Sequence, residues 1–373
     1  MVTVETKAAP SHDPFDLWAL PALGRVKARW YAGSRLARLS LFALYGLDLA
    51  APLLVRRCLG VERHEFAHTI AMRRALDGGP DDAAFVERME AMGQGGGWGL
   101  PFAWFSRNGT YPAGLPLVTS TPYVLDALLR VDPASEAGER ARGLFEGSWA
   151  FLESLHVHLD SEDELALSYA PFDDETTVVN ANSYAAWAYA MHAVHGREDR
   201  RLEARARSLR LARWVTGRQN DDGSWYYLAD RDRWDMIDGF HSCLVVRNLR
   251  SVRALLGPAA ELVTPAVEAG WAYIRTRLFD EEAGLCRRYT LRSRPDPFRF
   301  DLYDQAEYLG LLIDLGHLEE ARALVEVVRR RFRRGGAWYC KIDVLGRRWG
   351  RGFLRWGITP FEVHAARLEA AGR

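Results

Sequence analysis

The feature that most constrains the fold of this chain is an internal repeat. Five times, a turn that contains glycine, and usually tryptophan, leads through a polar and aromatic loop into a long apolar helix. The turns are GGGWG at 95–99, LALSYAPFDD at 165–174, DDGSWYY at 221–227, EAGLCRRY at 282–289 and GGAWYC at 335–340. The helices that follow begin near Pro122, Asn182, Asp238, Tyr303 and Pro360. Their spacing of roughly 60 residues is too long for one helix and is typical of a helical hairpin with its loop.

Two kinds of helix alternate along this repeat. The segments at 183–194 and 305–316 are apolar nearly all round, which is typical of helices covered on both sides. The returning segments are charged and amphipathic, as outer helices would be: 135–157, 198–217, 259–278 and 317–334. With a further hairpin at 62–93, the pattern predicts an all-α (α/α)6 toroid of six inner and outer pairs, with short β pieces in the loops. We expect this single domain to cover residues 25–373, after a loosely ordered arm at 1–24.

Composition and charge exclude several classes of function. The chain has 49 basic and 49 acidic residues, so no net field favours nucleic acid, and we expect no nucleic-acid partner. The four cysteines form no CxxC pair and no cleavable signal is evident, which favours a reducing cytoplasm over a disulfide framework. The apolar run at 39–55 contains Asp48 and Pro52 and is short for a spanning helix. Arginines beside it leave peripheral membrane contact through 35–57 open, and nothing in the sequence favours one oligomeric state.

One of the turns carries a motif of a known kind. A basic residue, an aromatic and aliphatic pair and QxxxGxW occur in order at Arg210, Trp214, Val215, Gln219, Gly223 and Trp225. This pattern matches the Q-W signature of the triterpene cyclases. We interpret it as a structural cap, in which the glutamine amide satisfies helix-end groups, glycine permits a positive φ and the indole covers the preceding helix end.

The chain therefore resembles the toroid superfamily of terpenoid cyclases and protein prenyltransferases over about residues 60–370. The order DGSW, an aromatic loop and then WDMIDGFHS at 234–242 looks most like bacterial prenyltransferase-like proteins associated with polysaccharide biosynthesis. The motifs for terpene chemistry are missing, because neither DxDD nor DCTAE is present and DDETT at 173–177 lacks the last carboxylate of DDxxD. Asp238, His241 and Cys243 cannot all face one point on a helix as zinc ligands. We expect no metal and no cofactor.

The candidate site is the mouth of the barrel, where the N-terminal ends of parallel inner helices converge. The candidate acid and base residues are Asp238, His241, Asp304 and Glu307. The candidate substrate-binding residues are Trp98, Tyr123, Asn182, Trp225, Trp234, Tyr303 and Glu362. Flat rings beside carboxylates and amides suit a sugar. A structural alternative stays open for each residue, since aspartate and asparagine also cap helices and tryptophan also packs hairpins.

Three hypotheses for the function follow from this site. The first is a carbohydrate-active toroid of polysaccharide metabolism or biosynthesis, acting as a hydrolase, lyase or epimerase through carboxylate and histidine chemistry on a glycan or other small molecule. The second is an isoprenoid enzyme, of the terpene cyclase or prenyltransferase kind. The third is a non-catalytic toroid that binds a glycan or a protein. The acidic mouth and the missing cyclase motifs favour the first.

Overall fold

The computed structural model describes residues 10–77, 81–106, 109–172, 176–230, 236–292 and 296–372. Three helices precede the barrel: α1 (Pro21–Tyr31), α2 (Arg35–Ala50) and α3 (Pro52–Leu59). Five helical hairpins and a last helix follow: α4 (Ala67–Asp77) with α5 (Asp82–Met92), α6 (Thr121–Leu128) with α7 (Glu136–Glu153), α8 (Val179–His195) with α9 (Glu198–Gly217), α10 (Gly239–Leu256) with α11 (Thr264–Tyr273), α12 (Leu302–Asp314) with α13 (Leu318–Phe332), and α14 (Thr359–Ala371). Short 3-10 and π turns extend some of these ends.

The first helix of each hairpin, together with α14, forms a closed inner ring. Each inner helix packs against the next along the chain, and α14 packs against both α12 and α4. The predicted all-α toroid with six inner helices is therefore confirmed. The described chain holds no outer helix after α14, which ends at Ala371, so five of the inner helices have an outer partner that follows them in sequence.

Short strands occupy the loops that lead to the inner helices, as predicted. They are β1 (Trp104–Ser106), β2 (Gly109–Tyr111), β3 (Val157–Asp160), β4 (Leu165–Leu167), β5 (Met236–Asp238), β6 (Phe279–Asp280), β7 (Leu285–Cys286), β8 (Tyr289–Arg292), β9 (Phe298–Asp301), β10 (Arg333–Arg334), β11 (Ala337–Asp343) and β12 (Arg348–Arg351). All pairs are antiparallel, and the largest sheet among the described residues joins β9, β10, β11 and β12. β5 pairs with β8, which fixes the entry to α10.

The burial of each helix follows the apolar pattern of its sequence. In α8 nearly every residue from Val179 to His192 is buried, because this inner helix has neighbours on all sides. In α9 only one face is buried, including Ala204, Leu211 and Val215, while its arginines are exposed or half-buried. The apolar faces of inner and outer helices meet in one continuous core.

The Q-W turn is a packing device between consecutive repeats. The indole Nε1 of Trp225 donates to the carbonyl of Val215 at 2.9 Å, near the end of α9. Gly223 has a φ of 89°, and a Cβ there would lie 2.3 Å from the carbonyl oxygen of Ala269 in α11. The Gln219 amide donates to the carbonyls of Gly223 and Ala266, both at 2.9 Å. The predicted roles of the indole and the glycine are confirmed, but the glutamine ties its turn to the next outer helix instead of capping α9.

The segment expected to be a loose arm is packed from Ser11 onwards. Ser11 and His64 exchange backbone hydrogen bonds of 2.8 Å, and the Asp13 carboxylate pairs with Arg355. Leu17 and Trp18 are buried. The three prolines of this segment suggested an irregular chain, but its acidic and aromatic side chains find partners. Asp16 pairs with Arg56 of α3, and the Phe15 ring contacts Trp356 just before α14. Residues 1–9 of the expected arm lie outside the described residues.

Within the described ranges, no single helix has the length and apolar composition needed to cross a membrane. α2 and α3 meet those criteria only as a pair, and they are bent by 120° at their junction.

Candidate functional site

Asp238 and His241 form a pair where β5 ends and α10 begins. Asp238 caps the helix, since its Oδ1 accepts from the backbone N–H of His241 at 2.9 Å, while its Oδ2 lies 2.6 Å from Nδ1 of the same residue. Asp238 is buried, and the His241 side chain is 17% exposed. The carboxylate therefore favours the tautomer with the proton on Nδ1. Nε2 is left as an acceptor, with no hydrogen-bond partner among the described residues.

The close packing of this helix start depends on a glycine. A Cβ on Gly239 would lie 2.8 Å from the carbonyl oxygen of Arg287 and 2.9 Å from Oδ1 of Asp304. That same Oδ1 accepts from the backbone N–H of Phe240 at 2.9 Å. Asp304 thus holds the first turn of α10 from the neighbouring helix α12. The N-terminal ends of these two inner helices are joined, as the parallel arrangement predicts.

A small pocket opens between the first turns of α8 and α10. Its walls are Asn180, Trp225, Tyr226, Tyr227, Met236, Asp238, His241, Ser242 and Val245. The His241 and Tyr227 rings are 4.5 Å apart between centroids. The Oδ1 atom of Asn180 is buried and has no hydrogen-bond partner among the described residues. The free space is about 10 Å³, close to the size of one water molecule, so the pocket as it stands accepts one small polar group, such as a hydroxyl.

Asp304 lies in a buried ionic cluster behind the pocket. Its Oδ2 is 3.7 Å from a guanidinium nitrogen of Arg288 and makes no hydrogen bond to the described residues. Burial, reinforced by the charges of Asp301 and Asp238, holds the pKa of the Asp304 carboxyl well above its usual range. Although burial acts the same way on Asp301, Lys341 and Arg288 keep the pKa of that carboxyl below its usual value. Burial thus disfavours the charged form of Asp304, which positions α10 through its hydrogen bond to the backbone N–H of Phe240.

Glu307 lies deeper, inside the barrel, and is bound to an arginine. Its Oε2 accepts from Nη1 of Arg247 at 2.5 Å, and Arg247 also donates to Asp314 at 2.9 Å. Burial raises the pKa of Glu307, although the guanidinium opposes that shift. Gly310 leaves room for this arrangement, because a Cβ there would lie 2.9 Å from Cζ of Arg247 and 2.7 Å from Nε2 of His364.

His364 has a cationic environment in the same interior network. Its Nδ1 lies 3.0 Å from Arg367 and its Nε2 lies 3.4 Å from Arg247. Burial, followed by these two guanidinium groups, holds the pKa of His364 well below its usual value. The ring is consequently neutral at pH 7.

An aromatic ring joins the pocket to the barrel interior. Phe240 lies 3.8 Å from the His241 ring on one side and stacks at 4.8 Å on Tyr303 on the other, between centroids. Tyr303 also contacts Trp356 at 4.9 Å. Tyr123 lies further inside, where its hydroxyl is 2.7 Å from that of Tyr184. The structure therefore brings together Asp238, His241, Asp304 and Tyr303 at the helix starts, and places Tyr123 and Glu307 below them.

Other candidates have structural partners instead. The Asn182 amide accepts from the N–H of Leu167 at 2.8 Å and donates to the carbonyls of Leu167 and Val178, so it anchors β4 to α8. Trp98 is 1% exposed and donates to the carbonyl of Met89 at 2.8 Å, as Trp225 does in its own repeat. Neither Asn182 nor Trp98 meets the pocket, whereas Trp225 is one of the residues that line it.

The last two candidate substrate-binding residues are Glu362 and Trp234. Glu362 lies in the first turn of α14, 3.7 Å from Arg73 of α4, on the wall between the last and first inner helices. Trp234 lies outside the described residues. Among the described residues no three His, Cys, Asp or Glu side chains are grouped closely enough to hold a metal ion.

Arg247 and Arg288 are the site residues that the sequence analysis missed. Arg247 interrupts the apolar stretch FHSCLVVRNL of an inner helix. A charged residue in a helix that is covered on all sides needs a buried partner, and that was the available signal. Arg288 gave no such signal, because it lies in a loop with several other arginines.

Comparisons with known proteins show the fold. No protein-family model matches the chain, and no curated protein is similar to it in sequence. Among solved structures, a D-mannose isomerase is 14% identical with a TM-score of 0.58, and the match covers 82% of this chain and 85% of that one. A sugar epimerase from a ruminal bacterium is 13% identical with a TM-score of 0.56 over 82% and 85% of the two chains.

A terpenoid enzyme has the same architecture. The ent-copalyl diphosphate synthase from Streptomyces platensis is 15% identical with a TM-score of 0.50, over 85% of this chain and 53% of that one. The chain thus has the α/α-toroid fold that the Q-W resemblance implied, a fold that sugar enzymes and terpene cyclases share.

Proposed function

We propose that this toroid acts on a carbohydrate and that His241 transfers a proton to or from a sugar held at the pocket. The observation that carries the proposal is the 2.6 Å contact between Oδ2 of Asp238 and Nδ1 of His241. It orients the imidazole and leaves Nε2 as the nitrogen that can meet a ligand. The toroid fold of the D-mannose isomerase and the sugar epimerase supports a sugar substrate.

Each wall of the pocket has a role in this proposal. Asp238 stabilises the positive charge that the His241 ring gains when Nε2 takes up a proton. The unpaired Oδ1 of Asn180 accepts a hydrogen bond from a sugar hydroxyl. The ring of Tyr227 covers the CH face of the sugar.

The arrangement favours proton transfer at carbon, as in epimerisation or isomerisation. Nε2 of His241 removes the proton from the hydroxyl-bearing carbon next to a carbonyl, and the electron pair moves onto the carbonyl oxygen as an enediolate. In epimerisation the proton returns to the same carbon. In isomerisation the hydroxyl proton moves from one oxygen to the other, and the carbon-bound proton returns to the former carbonyl carbon. Glycoside hydrolysis instead needs two carboxylates that reach one bond. Asp304 and Glu307 are fully buried and bonded to Phe240 and Arg247, which does not favour it. The same proposal includes that the sugar on which this protein acts belongs to polysaccharide metabolism or biosynthesis.

Deuterium exchange tests this function directly. Wild-type protein is incubated in D2O with a panel of aldoses, ketoses and reducing disaccharides, and the sugars are followed by proton NMR. We expect deuterium to enter the carbon next to the carbonyl of at least one sugar. His241→Gln should slow this exchange by about 100- to 10,000-fold. His195→Gln, which changes an exposed histidine at the end of α8, should leave the exchange rate unchanged.

Two outcomes would overturn the proposal. Glycan binding that depends on His241 with no exchange in any sugar would make the protein a non-catalytic binder. Turnover of an isoprenoid diphosphate, tested in place of the sugars, would instead identify the protein as an isoprenoid enzyme.

A further inference from the structure

The helices that precede the barrel expose a continuous apolar surface. We call it the α1–α3 face; it consists of the solvent-facing side chains of residues 21–59. Its large apolar members are exposed by 40% or more: Tyr31, Leu36, Leu39, Phe42, Leu47, Leu53, Leu54 and Leu59. Monomeric proteins rarely leave so many large apolar side chains together in water.

The exposed residues follow the helical period, so they form one stripe. In α2 the positions Leu36, Leu39, Ala43, Leu47 and Ala50 recur every three or four residues. The opposite side packs inwards through Ala37, Leu41 and Leu49. α3 is bent by 120° from α2 and also exposes Leu53 and Leu54.

The charges around this stripe are almost entirely positive. Between Leu17 and Val61 the sole acidic residue is Asp48, which is buried against Arg56 with a contact of 2.9 Å. The exposed charges of the face are Arg25, Arg29, Arg35, Arg38 and Arg57. Because the whole chain has equal numbers of acidic and basic residues, this local excess is not a consequence of overall composition.

A groove beside the stripe combines both properties. It measures about 480 Å³ and is lined by His12, Leu53, Leu54, Arg57, Val61 and Arg63. Its apolar walls suit acyl carbon, and its two guanidinium groups suit a phosphate. Burial, together with nearby arginines, lowers the pKa of His12 to about 4, so this histidine is neutral at pH 7 and does not supply the positive charge.

We propose that the α1–α3 face docks the protein onto a lipid bilayer that contains anionic phospholipids. Leucines and phenylalanine enter the interface between headgroups and acyl chains, while the flanking arginines contact phosphate. The contact is peripheral and places the helices parallel to the membrane plane. This inference rests on the surface alone and is independent of the proposed sugar chemistry.

Vesicle flotation tests the docking. Wild-type protein should float with vesicles of phosphatidylcholine and phosphatidylglycerol, should bind vesicles of phosphatidylcholine alone more weakly, and should dissociate as salt increases. Replacing Arg35, Arg38 and Arg57 by Gln should lower partitioning by roughly 100-fold. A second variant, with Leu39, Leu47 and Leu54 replaced by Ser, should lower it by about 100-fold or more.

Matched controls change the same residue types elsewhere on the surface. One control replaces the exposed Leu202 and Leu345 by Ser, and the other replaces the exposed Arg142, Arg205 and Arg334 by Gln. All variants are checked for an unchanged melting temperature, and the controls should bind vesicles like the wild type. Equal loss in control and test variants would overturn the proposal. So would a stable dimer in light scattering that the leucine variant dissociates, without vesicle binding by the wild type.

Discussion

His241 and His364 are both on inner helices of the same barrel, but their surroundings are opposite. His241, at the start of α10, faces the carboxylate of Asp238 at 2.6 Å and is partly exposed. His364, in the middle of α14, lies between the guanidinium groups of Arg247 and Arg367 and is buried. In the first environment a carboxylate orients the ring, whereas in the second burial and two guanidinium groups hold the pKa of His364 well below its usual value. Proximity to the barrel axis alone therefore does not identify an acid or base, and the charge of the partner does.

The largest expected effect is on proton exchange into the sugar, which should depend on the surroundings of His241 and not on His364. Asp238→Asn preserves the helix cap, because asparagine is also a good N-cap, but it removes the charge that orients His241. Proton exchange into the sugar should fall about 100- to 10,000-fold, with little change in melting temperature. His364→Gln should change exchange by less than about tenfold. An equal loss in both variants, measured by NMR in D2O, would contradict the assignment of His241 as the acid and base.

The next effect concerns the stability of the interior. Arg247→Met leaves the buried Glu307 carboxylate without its cation and removes one partner of Asp314. We expect the free energy of unfolding to fall by about 3 to 5 kcal/mol, measured by urea denaturation. Arg253→Met, at the exposed end of the same helix where Arg253 pairs with Glu261, should cost less than about 1 kcal/mol. Comparable losses in the two variants would show that the interior network does not stabilise the barrel.

A smaller change in the free energy of unfolding should appear when the pH is lowered. Burial lowers the pKa of His192 to about 4 and of His68 to about 3. Burial and two neighbouring arginines also hold the pKa of His364 well below its usual value. In the unfolded chain these rings take up protons near pH 6.5. Between about pH 6.5 and 4 the unfolded state therefore binds more protons, and stability falls as the pH falls, by at most about 1.4 kcal/mol per pH unit and group.

The matching measurement is a series of urea denaturations from pH 7 to 4.5. His364→Gln removes one of these groups, so its stability should depend less steeply on pH than that of the wild type. A parallel pair of curves would show that His364 takes up its proton over the same pH range in the folded and unfolded states, which would contradict the contrast with His241.

The smallest effect tests whether the tryptophans of the turns are structural. Trp225→Phe keeps most of the ring but loses the hydrogen bond from Nε1 to the carbonyl of Val215. We expect a loss of about 1 to 2 kcal/mol in unfolding free energy and an exchange rate within about threefold of the wild type. Trp98→Phe, in the equivalent turn, should behave alike. A large loss of exchange in Trp225→Phe alone would give this indole a direct role in binding.

The periodic parts of the sequence predicted the fold, while contacts between distant loops stayed hidden. The six inner helices, the outer face of α9 and the Trp225 turn follow from helical spacing and from the Q-W motif. Asp238 and His241 could be paired because they lie three residues apart at a helix start. The association of Asp304 with the N–H of Phe240, or of Asp13 with Arg355, depends on how separate loops meet in space. The backbone hydrogen bonds of Asn182 could not be predicted, because a buried amide that binds backbone has the same position in sequence as one that faces a ligand.

Ring closure has a consequence for how the protein is made. The contact between α14 and α4 joins residues as far apart as Arg73 and Thr359, which lie 3.3 Å apart and 286 positions distant in the chain. During synthesis α4 leaves the ribosome long before α14, the neighbour that covers its flank. Until then the growing chain has an incomplete barrel with an open apolar seam, a state that favours chaperone binding over final folding. Removing α14 would accordingly leave the flanks of α4 and α12 uncovered.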